Sequence, residues 1–192
     1  MITRIETRLP GVCILEPKVF GDSRGFFMET YSRRDFEAAG IPHGFVQDNH
    51  SLSRGNVLRG LHYQLGRPQA KLVRVIRGEV FDVVVDVRRG SPTFGQWVGE
   101  ILSGENKRSL FIPEGFAHGF YVMSTEAEFL YKCSDFYTPA EERGIAWNDP
   151  QVAIPWPIPA GVAPALSEKD QAYGSLATRP AVDLPVFGGC GA

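Results

Sequence analysis

Short runs of apolar residues alternate with polar positions along this chain, and turn residues separate the runs. Strand-like stretches cover residues 71–77, 80–88, 96–102, 109–112, 118–123 and 127–133. The 21 glycines and 14 prolines punctuate the chain between them. This rhythm is typical of an all-β protein, and it favours a sandwich or a jelly-roll barrel.

One stretch favours a helix. Ser32 is placed to cap its first turn, Asp35 follows three residues later as in a capping box, and Gly40 with Pro42 ends it. We expect a short helix at the periphery of the fold. Beyond Leu176 neither strand nor helix periodicity continues, so the sequence predicts one domain over 1–175 and an irregular or mobile tail over 176–192.

Alternation also assigns side chains to faces. In 127–133 it places Tyr131 on the same face as Phe129 and Cys133, so Tyr131 is expected to point inward. In 71–77 it places Lys71 with Val73, but both faces of that strand mix charged and apolar residues. The direction of Lys71 therefore stays open.

His62 shares a strand face with Gly60 and Gln64, and such a polar trio indicates a wet cavity. A lone histidine is more often a core residue satisfied by a neighbour. The interpretation changes because the chain offers four further groups, more than the packing of a small barrel needs: Arg24, Arg59, Lys71 and Tyr131.

Composition narrows the classes of function. Of the 192 residues 43% are hydrophobic, which supports a folded core, and the net charge of -2 argues against binding to nucleic acid or to an anionic membrane. No apolar run approaches the ~20 residues of a membrane span. Glu6 interrupts any signal-peptide core, so we expect a cytoplasmic protein. Cys13, Cys133 and Cys190 have no metal-binding spacing and are expected to be free thiols.

His118 ends a Pro-x-Gly-x-x-His pattern that begins at Pro113, and this pattern resembles the second motif of the cupin superfamily. In metal-binding cupins that histidine is a ligand, together with a His-x-His pair in the first motif. Here Gln64 stands two residues after His62, so the sequence predicts no metal. His62 and His118 are then free for proton chemistry or hydrogen bonding.

Seven segments follow one another between about residue 20 and residue 170: DSRGFF at 22–27, QDNHS at 47–51, LRGLHYQ at 58–64, SPTFG at 91–95, PEGFAHGF at 113–120, WNDP at 147–150 and LSEKD at 166–170. Together they resemble the dTDP-4-dehydrorhamnose 3,5-epimerase family. The resemblance implies a cupin-type jelly-roll β-barrel with short peripheral helices. It also implies a homodimer that exchanges N-terminal strands, so that part of each site comes from the partner.

The family's substrate is a dTDP-linked 4-keto-6-deoxy sugar, whose ketone acidifies the C–H bonds at C3 and C5. No cofactor is implied, since a base, an acid and a donor to the enolate oxygen suffice. By resemblance His62 is the base, Tyr131 the acid and Lys71 the enolate stabiliser. Asp170 is the carboxylate partner of His62, with an exposed loop acid as the alternative.

Arg24 and Arg59 are expected to hold the two phosphates, because guanidinium pairs with phosphate through two hydrogen bonds. The resemblance assigns further substrate contacts to Phe27, Glu29, Gln47, Asn49, Lys71, His118, Glu142 and Lys169. A phenylalanine in the position of Phe27 is more often a core residue, and Glu142 and Lys169 are as readily explained as surface charges.

The predicted function is epimerisation at C3 and C5 of dTDP-4-keto-6-deoxy-D-glucose, which yields dTDP-4-keto-L-rhamnose for L-rhamnose biosynthesis. Two alternatives remain: a sugar-nucleotide epimerase that acts on one carbon or a ketoisomerase, and a carbohydrate-binding cupin without activity. The last would have no use for His62 and Tyr131 on opposite sides of a ligand.

Overall fold

Two antiparallel sheets face each other in the computed structural model, which describes residues 2–188. The strands are β1 (Ile2–Glu6), β2 (Cys13–Pro17), β3 (Val19–Asp22), β4 (Gly25–Met28), β5 (Gln47–Arg54), β6 (Leu58–Gln64), β7 (Lys71–Arg77), β8 (Glu79–Asp86), β9 (Trp97–Ser103), β10 (Ser109–Ile112), β11 (Phe116–Val122), β12 (Glu126–Cys133) and β13 (Glu142–Gly144). The helices are α1 (Arg33–Ala38) and α2 (Glu168–Ala172), with 3-10 turns at Pro139–Glu141, Leu176–Thr178 and Ala181–Asp183. The all-β jelly-roll prediction is confirmed.

One sheet has six strands in the order β1-β2-β10-β7-β12-β5, and the other has five in the order β13-β6-β11-β8-β9. Period-two alternation sends Val73 and Phe129 of the first sheet, and Val84 and Phe120 of the second, into a shared core. Phe120 and Phe129 stack at 4.3 Å between ring centroids, which joins the two sheets. The core fills one part of the space between the sheets and leaves a cavity in the rest.

Each outer face is covered in part. Phe36 of α1 packs on Cys13 and Leu15 outside the six-stranded sheet, so this helix is peripheral as expected. Ser32 does occupy the N-cap position, but its side chain makes no capping hydrogen bond, and the predicted capping box is wrong. Residues after β13 cover the five-stranded sheet, where Leu176 lies in a second apolar cluster.

The β3–β4 hairpin forms a sheet of its own. Nearly all of its residues are exposed. At the other end of the chain, Val186 makes an isolated bridge with Arg89. The predicted tail continues through residues 189–192, including Cys190, which lie outside the described residues. In the described part, no helix is long and apolar enough to span a membrane.

Candidate active site

A cavity of about 700 Å³ opens between the two sheets. Ten of the residues predicted from the sequence line it: Gln47, Asn49, Arg59, His62, Lys71, His118, Tyr131, Glu142, Lys169 and Asp170. β5, β7 and β12 supply one wall, β6 and β11 the other, and α2 with β13 close one end. The fold therefore gathers side chains that are up to 123 positions apart in sequence, from Gln47 to Asp170.

His62 lies on β6 and is paired with Asp170 of α2, with 2.5 Å between Nε2 and Oδ1. Asp170 is 4% exposed, so the alternative of an exposed loop acid is wrong. Ser167 fixes this carboxylate, because its hydroxyl donates to Oδ2 at 2.7 Å and accepts from the Asp170 backbone N–H. Burial alone would raise the pKa of Asp170, but the hydrogen bonds from His62 and Ser167 outweigh it and lower the pKa.

This pairing selects the tautomer of His62. An ionised carboxylate only accepts hydrogen bonds, so Nε2 carries the proton that it donates to Asp170. In the neutral imidazole Nδ1 then has the free lone pair. Nδ1 lies 3.9 Å from Oε1 of Glu142, beyond hydrogen-bonding distance, and is left available as a base.

Tyr131 and Lys71 lie on the opposite wall. They are neighbours because Tyr131 pairs with Val73 and Cys133 with Lys71 across β12 and β7. The register turns Lys71 inward, which settles the direction left open by the sequence. Within residues 2–188 neither the phenol oxygen nor Nζ has a hydrogen-bond partner, and both are available to a ligand.

Burial changes the acidity of both groups. It raises the pKa of Tyr131, which keeps the phenol protonated at neutral pH and able to donate a proton. It lowers the pKa of Lys71, with the charges of Cys133 and Glu142 opposing the shift. A desolvated ammonium without an ion pair is suited to stabilise an oxyanion.

His118 of β11 has a carboxylate partner that sequence reasoning missed. Its Nε2 lies 2.9 Å from both oxygens of Asp82, and Asp82 is completely buried on β8. Burial raises the pKa of Asp82 against the opposing effect of His118 and Lys71. The sequence carried a partial signal, since Asp82 and Asp86 share one face of a buried strand with Val80 and Val84.

At one end of the cavity Glu142 accepts hydrogen bonds at Oε2 from Tyr137 at 2.8 Å and Lys169 at 2.7 Å. The Glu142 side chain is 13% exposed and is not a surface charge, whereas Lys169 is 47% exposed. The hydrogen bond to Glu142, followed by burial, raises the pKa of Tyr137 to about 12. Tyr137 lies in a loop without periodicity, and no pattern in the sequence pointed to it.

The remaining predicted substrate-binding residues of the cavity contact neighbouring side chains that position them. Gln47 donates to Asn49 at 3.0 Å, and Asn49 lies 3.7 Å from the sulfur of Cys133. Arg59 donates from Nε to Ser53 on the facing edge strand at 3.0 Å. Its guanidinium is exposed at the cavity rim, where an anionic ligand can reach it.

Three predicted residues do not line the cavity of their own chain: Arg24, Phe27 and Glu29. Arg24 is 88% exposed and is paired with Asp22 in the hairpin. Phe27 is 71% exposed, so the alternative that it belongs to the core is wrong. Glu29 is exposed beyond the end of β4.

The described residues contain no group of three or more His, Cys, Asp or Glu side chains placed to hold a metal ion. Gln64, which stands where a metal-binding cupin has its second histidine, is buried. Its amide nitrogen donates to the carbonyl of Arg67 at 2.7 Å, and its oxygen accepts from the N–H of Thr138 at 2.7 Å. Gln64 therefore ties the end of β6 to the neighbouring loops.

Comparison with known proteins gives a consistent result. The family model described as dTDP-4-dehydrorhamnose 3,5-epimerase matches residues 6–178. A dTDP-4-dehydrorhamnose 3,5-epimerase from Pseudomonas aeruginosa is 63% identical over 164 residues, covering 85% of this chain and 90% of the relative.

Two solved structures are also similar. One is a 3,5-epimerase from Legionella pneumophila in complex with dTDP-4-keto-L-rhamnose, with a TM-score of 0.94, 54% identity and coverage of 97% of this chain and 99% of that one. The other is a 3'-monoepimerase from Streptomyces bikiniensis in complex with dTDP-quinovose, with a TM-score of 0.88, 33% identity and coverage of 95% and 93%.

Proposed function

The chain belongs to the dTDP-4-dehydrorhamnose 3,5-epimerase family, and we propose that it inverts C3 and C5 of dTDP-4-keto-6-deoxy-D-glucose to give dTDP-4-keto-L-rhamnose. The observation that carries this proposal is the opposition of His62 and Tyr131 across one cavity. Inversion at carbon requires a proton to leave one face of the sugar ring and another to arrive on the opposite face. A base and an acid on facing sheets meet that requirement.

In the proposed reaction Nδ1 of His62 takes the proton from the carbon beside the ketone. The C–H electron pair forms the new C=C bond, and the carbonyl oxygen becomes an enolate that the Lys71 ammonium stabilises. Tyr131 then gives its proton to the opposite face, and the carbonyl re-forms. The same cycle serves the second carbon after His62 has lost its proton and Tyr131 has regained one.

Asp170 supports the first step because the imidazolium forms while it remains bonded to a buried carboxylate. Oxidation state does not change between substrate and product, so the electrons balance without a redox cofactor. Arg59 and the amide pair of Gln47 and Asn49 are proposed to hold the nucleotide end, and His118, Glu142 and Lys169 the sugar.

We further propose that the site is completed by a second copy of the chain. The hairpin presents Phe20, Phe26 and Phe27 to solvent, and a two-stranded hairpin alone is marginally stable in water. Packing against a partner would bury this apolar surface. It would also bring Arg24 to the phosphates, Phe27 to the thymine and Glu29 to the partner's cavity.

A complementation experiment tests this arrangement. Arg24→Ala and His62→Asn subunits are each expected to be inactive as homodimers. If Arg24 serves the partner's site, a mixed dimer contains one intact site, and co-refolding should restore up to about a quarter of the wild-type activity. Mixed dimers without activity would show that Arg24 and His62 act within one chain, and sedimentation that finds only monomer would exclude the dimer.

Cys13 and Cys133 are buried free thiols, which a reducing compartment favours. We therefore propose that the enzyme works in the cytoplasm. When cells are lysed directly into denaturant with an alkylating agent, these thiols should be fully alkylated before any reductant is added, and cysteines alkylated only after reduction would contradict the proposal.

The similarity to a 3'-monoepimerase makes inversion at one carbon a second candidate function. Proton NMR with dTDP-4-keto-6-deoxy-D-glucose in deuterated water, with EDTA present, separates the two. Deuterium at both C3 and C5 supports the proposed function, and deuterium at C3 alone favours the monoepimerase. No exchange at either carbon, with dTDP bound, would refute both and leave a ketoisomerase or a binding protein.

A further inference from the structure

The aromatic ring of Tyr173 packs against the ring of His62. Their centroids lie 5.7 Å apart at an interplanar angle of 63°, an edge-to-face contact. Tyr173 directly follows α2, which carries Asp170. A single short segment therefore supplies both the carboxylate that binds Nε2 and an aromatic wall for the imidazole.

The space for this ring exists because residue 144 has no side chain. Gly144 on β13 is the cross-strand partner of His62. A Cβ atom at Gly144 would lie 2.5 Å from a ring carbon of Tyr173, far inside van der Waals contact. Tyr173 thus occupies the position that the side chain next to His62 would normally fill on this face of the sheet.

Arg179 also contacts Tyr173, with its Cζ 5.5 Å from the ring centroid. Within the described residues the buried Nε of Arg179 has no hydrogen-bond partner. The family match ends at residue 178, and this contact therefore comes from outside it.

The segment 173–179 is anchored to the loop after β13. The N–H of Leu176 donates to Oδ2 of Asp149 at 2.6 Å, and the carbonyl of Gly174 accepts from the N–H of Ala146 at 2.9 Å. Asp149 is buried, and so is the Leu176 side chain. These contacts fix the segment 173–179 to the body of the protein.

We propose that Tyr173 is a positioning residue that sets the ring plane of His62, and that Arg179 supports it. The proposal rests on the proposed function. One hydrogen bond at Nε2 fixes a point of the imidazole but leaves its plane free to turn, because the second side-chain torsion of histidine is broad. The Tyr173 ring removes that freedom and keeps Nδ1 directed at the substrate carbon.

A displacement of about 1 Å at a reacting group can lower a rate by about 100-fold. We therefore expect Tyr173→Ala to reduce kcat by about 10- to 100-fold with dTDP affinity within about twofold of wild type. Tyr173→Phe keeps the ring and should retain at least half of kcat.

Arg179→Ala should reduce kcat by about three- to tenfold, while Arg179→Lys, which keeps a cation over the ring, should recover part of the loss. Arg34→Ala, at an exposed site on α1, is the matched control.

A structural role alone would lower the melting temperature without separating kcat from dTDP binding. Nitrogen-15 NMR of the His62 ring in the free enzyme gives a readout that needs no turnover. Wild type and Tyr173→Phe should show one Nε2-protonated state, and Tyr173→Ala a changed or exchange-broadened signal. If Tyr173→Ala does not fold, Tyr173→Leu takes its place.

The proposal is overturned if the folded Tyr173→Ala or Tyr173→Leu protein keeps kcat within twofold of wild type, or if its His62 signal is unchanged. It is also overturned if Tyr173→Phe loses as much activity as Tyr173→Ala, since the hydroxyl and not the ring would then matter. Wild-type protein that exchanges no deuterium at either carbon would refute the proposed function, while the ring signal would still report whether Tyr173 holds His62.

Discussion

Replacing Asp170 by Asn removes the charge beside His62 while leaving the shape of the site in place. The amide oxygen can accept from Nε2, as the carboxylate does. The amide nitrogen can donate to the Ser167 hydroxyl, whose own proton is free to rotate. The tautomer of His62 is then preserved, and the variant isolates the contribution of the charge to formation of the imidazolium.

The magnitude follows from the geometry of the pair. A hydrogen bond to a charged group contributes about 1.5–3 kcal/mol, which corresponds to about 10- to 150-fold in rate. The burial of Asp170, which is 4% exposed, places this pair toward the upper end. We expect kcat to fall by about 100-fold with KM within about threefold of wild type.

The assay follows deuterium incorporation at C3 and C5 by proton NMR under saturating substrate. Glu168→Gln is the matched control, because Glu168 is exposed on the same turn of α2 and its loss changes the net charge equally. Folded Asp170→Asn with kcat within threefold of wild type would refute the role of the charge. A rise in KM at constant kcat would instead assign Asp170 to substrate binding.

Four further outcomes follow from the site. His62→Asn should abolish deuterium incorporation at both carbons with dTDP affinity within about twofold of wild type by calorimetry; measurable turnover would remove His62 as the base. Tyr131→Phe should lose product yet still exchange the proton that His62 removes, and unchanged epimerisation would reject Tyr131 as the acid. Asp170 has a lowered pKa in the folded state, so the stability that its charge contributes should be present above its unfolded pKa of about 3.9 and be lost as the pH falls through the folded pKa. The free energies of unfolding of wild type and Asp170→Asn, measured in urea, should therefore converge at acidic pH. Burial lowers the pKa of Lys71 from 10.5, so the alkaline decline of kcat/KM should be centred below pH 10.5. In an active Lys71→Arg enzyme this decline should shift to higher pH.

Sequence patterns predicted the central strands well because those strands carry strong alternation. The ranges 71–77 and 109–112 coincide with β7 and β10. β5 escaped prediction, since its sequence QDNHSLSR contains a single large apolar residue. Its inward side chains face a water-accessible cavity instead of a core, and a cavity wall has no need of hydrophobic periodicity.

A serine three residues before an acidic residue occurs at the start of both helices, but only one of the two serines caps its helix. Ser32 and Asp35 have a Ser-x-x-acid spacing, yet the Ser32 side chain caps nothing. Ser167 and Asp170 share that spacing, and there the hydroxyl accepts from the Asp170 N–H. α2 has only five residues, too few for a period to show, so the partner of His62 came from resemblance and not from pattern.

Residues whose role depends on a contact with another part of the fold were the hardest to predict from the sequence. Tyr137 and Tyr173 lie in irregular segments, and each is placed by a contact with a strand residue, Glu142 for Tyr137 and His62 for Tyr173. No local rule connects such pairs. Asp82 is different, because a carboxylate on a buried strand face needs a hydrogen-bond partner, and the structure identifies that partner as His118.

Arg24, Phe27 and Glu29, which do not line the cavity of their own chain, share one explanation in the proposed dimer. Sequence patterns can indicate which side chains belong to a site, but they do not indicate which copy of the chain supplies each one. Burying one large apolar side chain contributes about 1.5–3 kcal/mol, so three exposed phenylalanines on one hairpin offer several kcal/mol to a partner surface. In the proposed dimer, the hairpin that carries Arg24 would be stabilised by the same contact that completes the site. Binding of the phosphates and association of the subunits would be linked in that dimer, since each would order the segment on which the other depends.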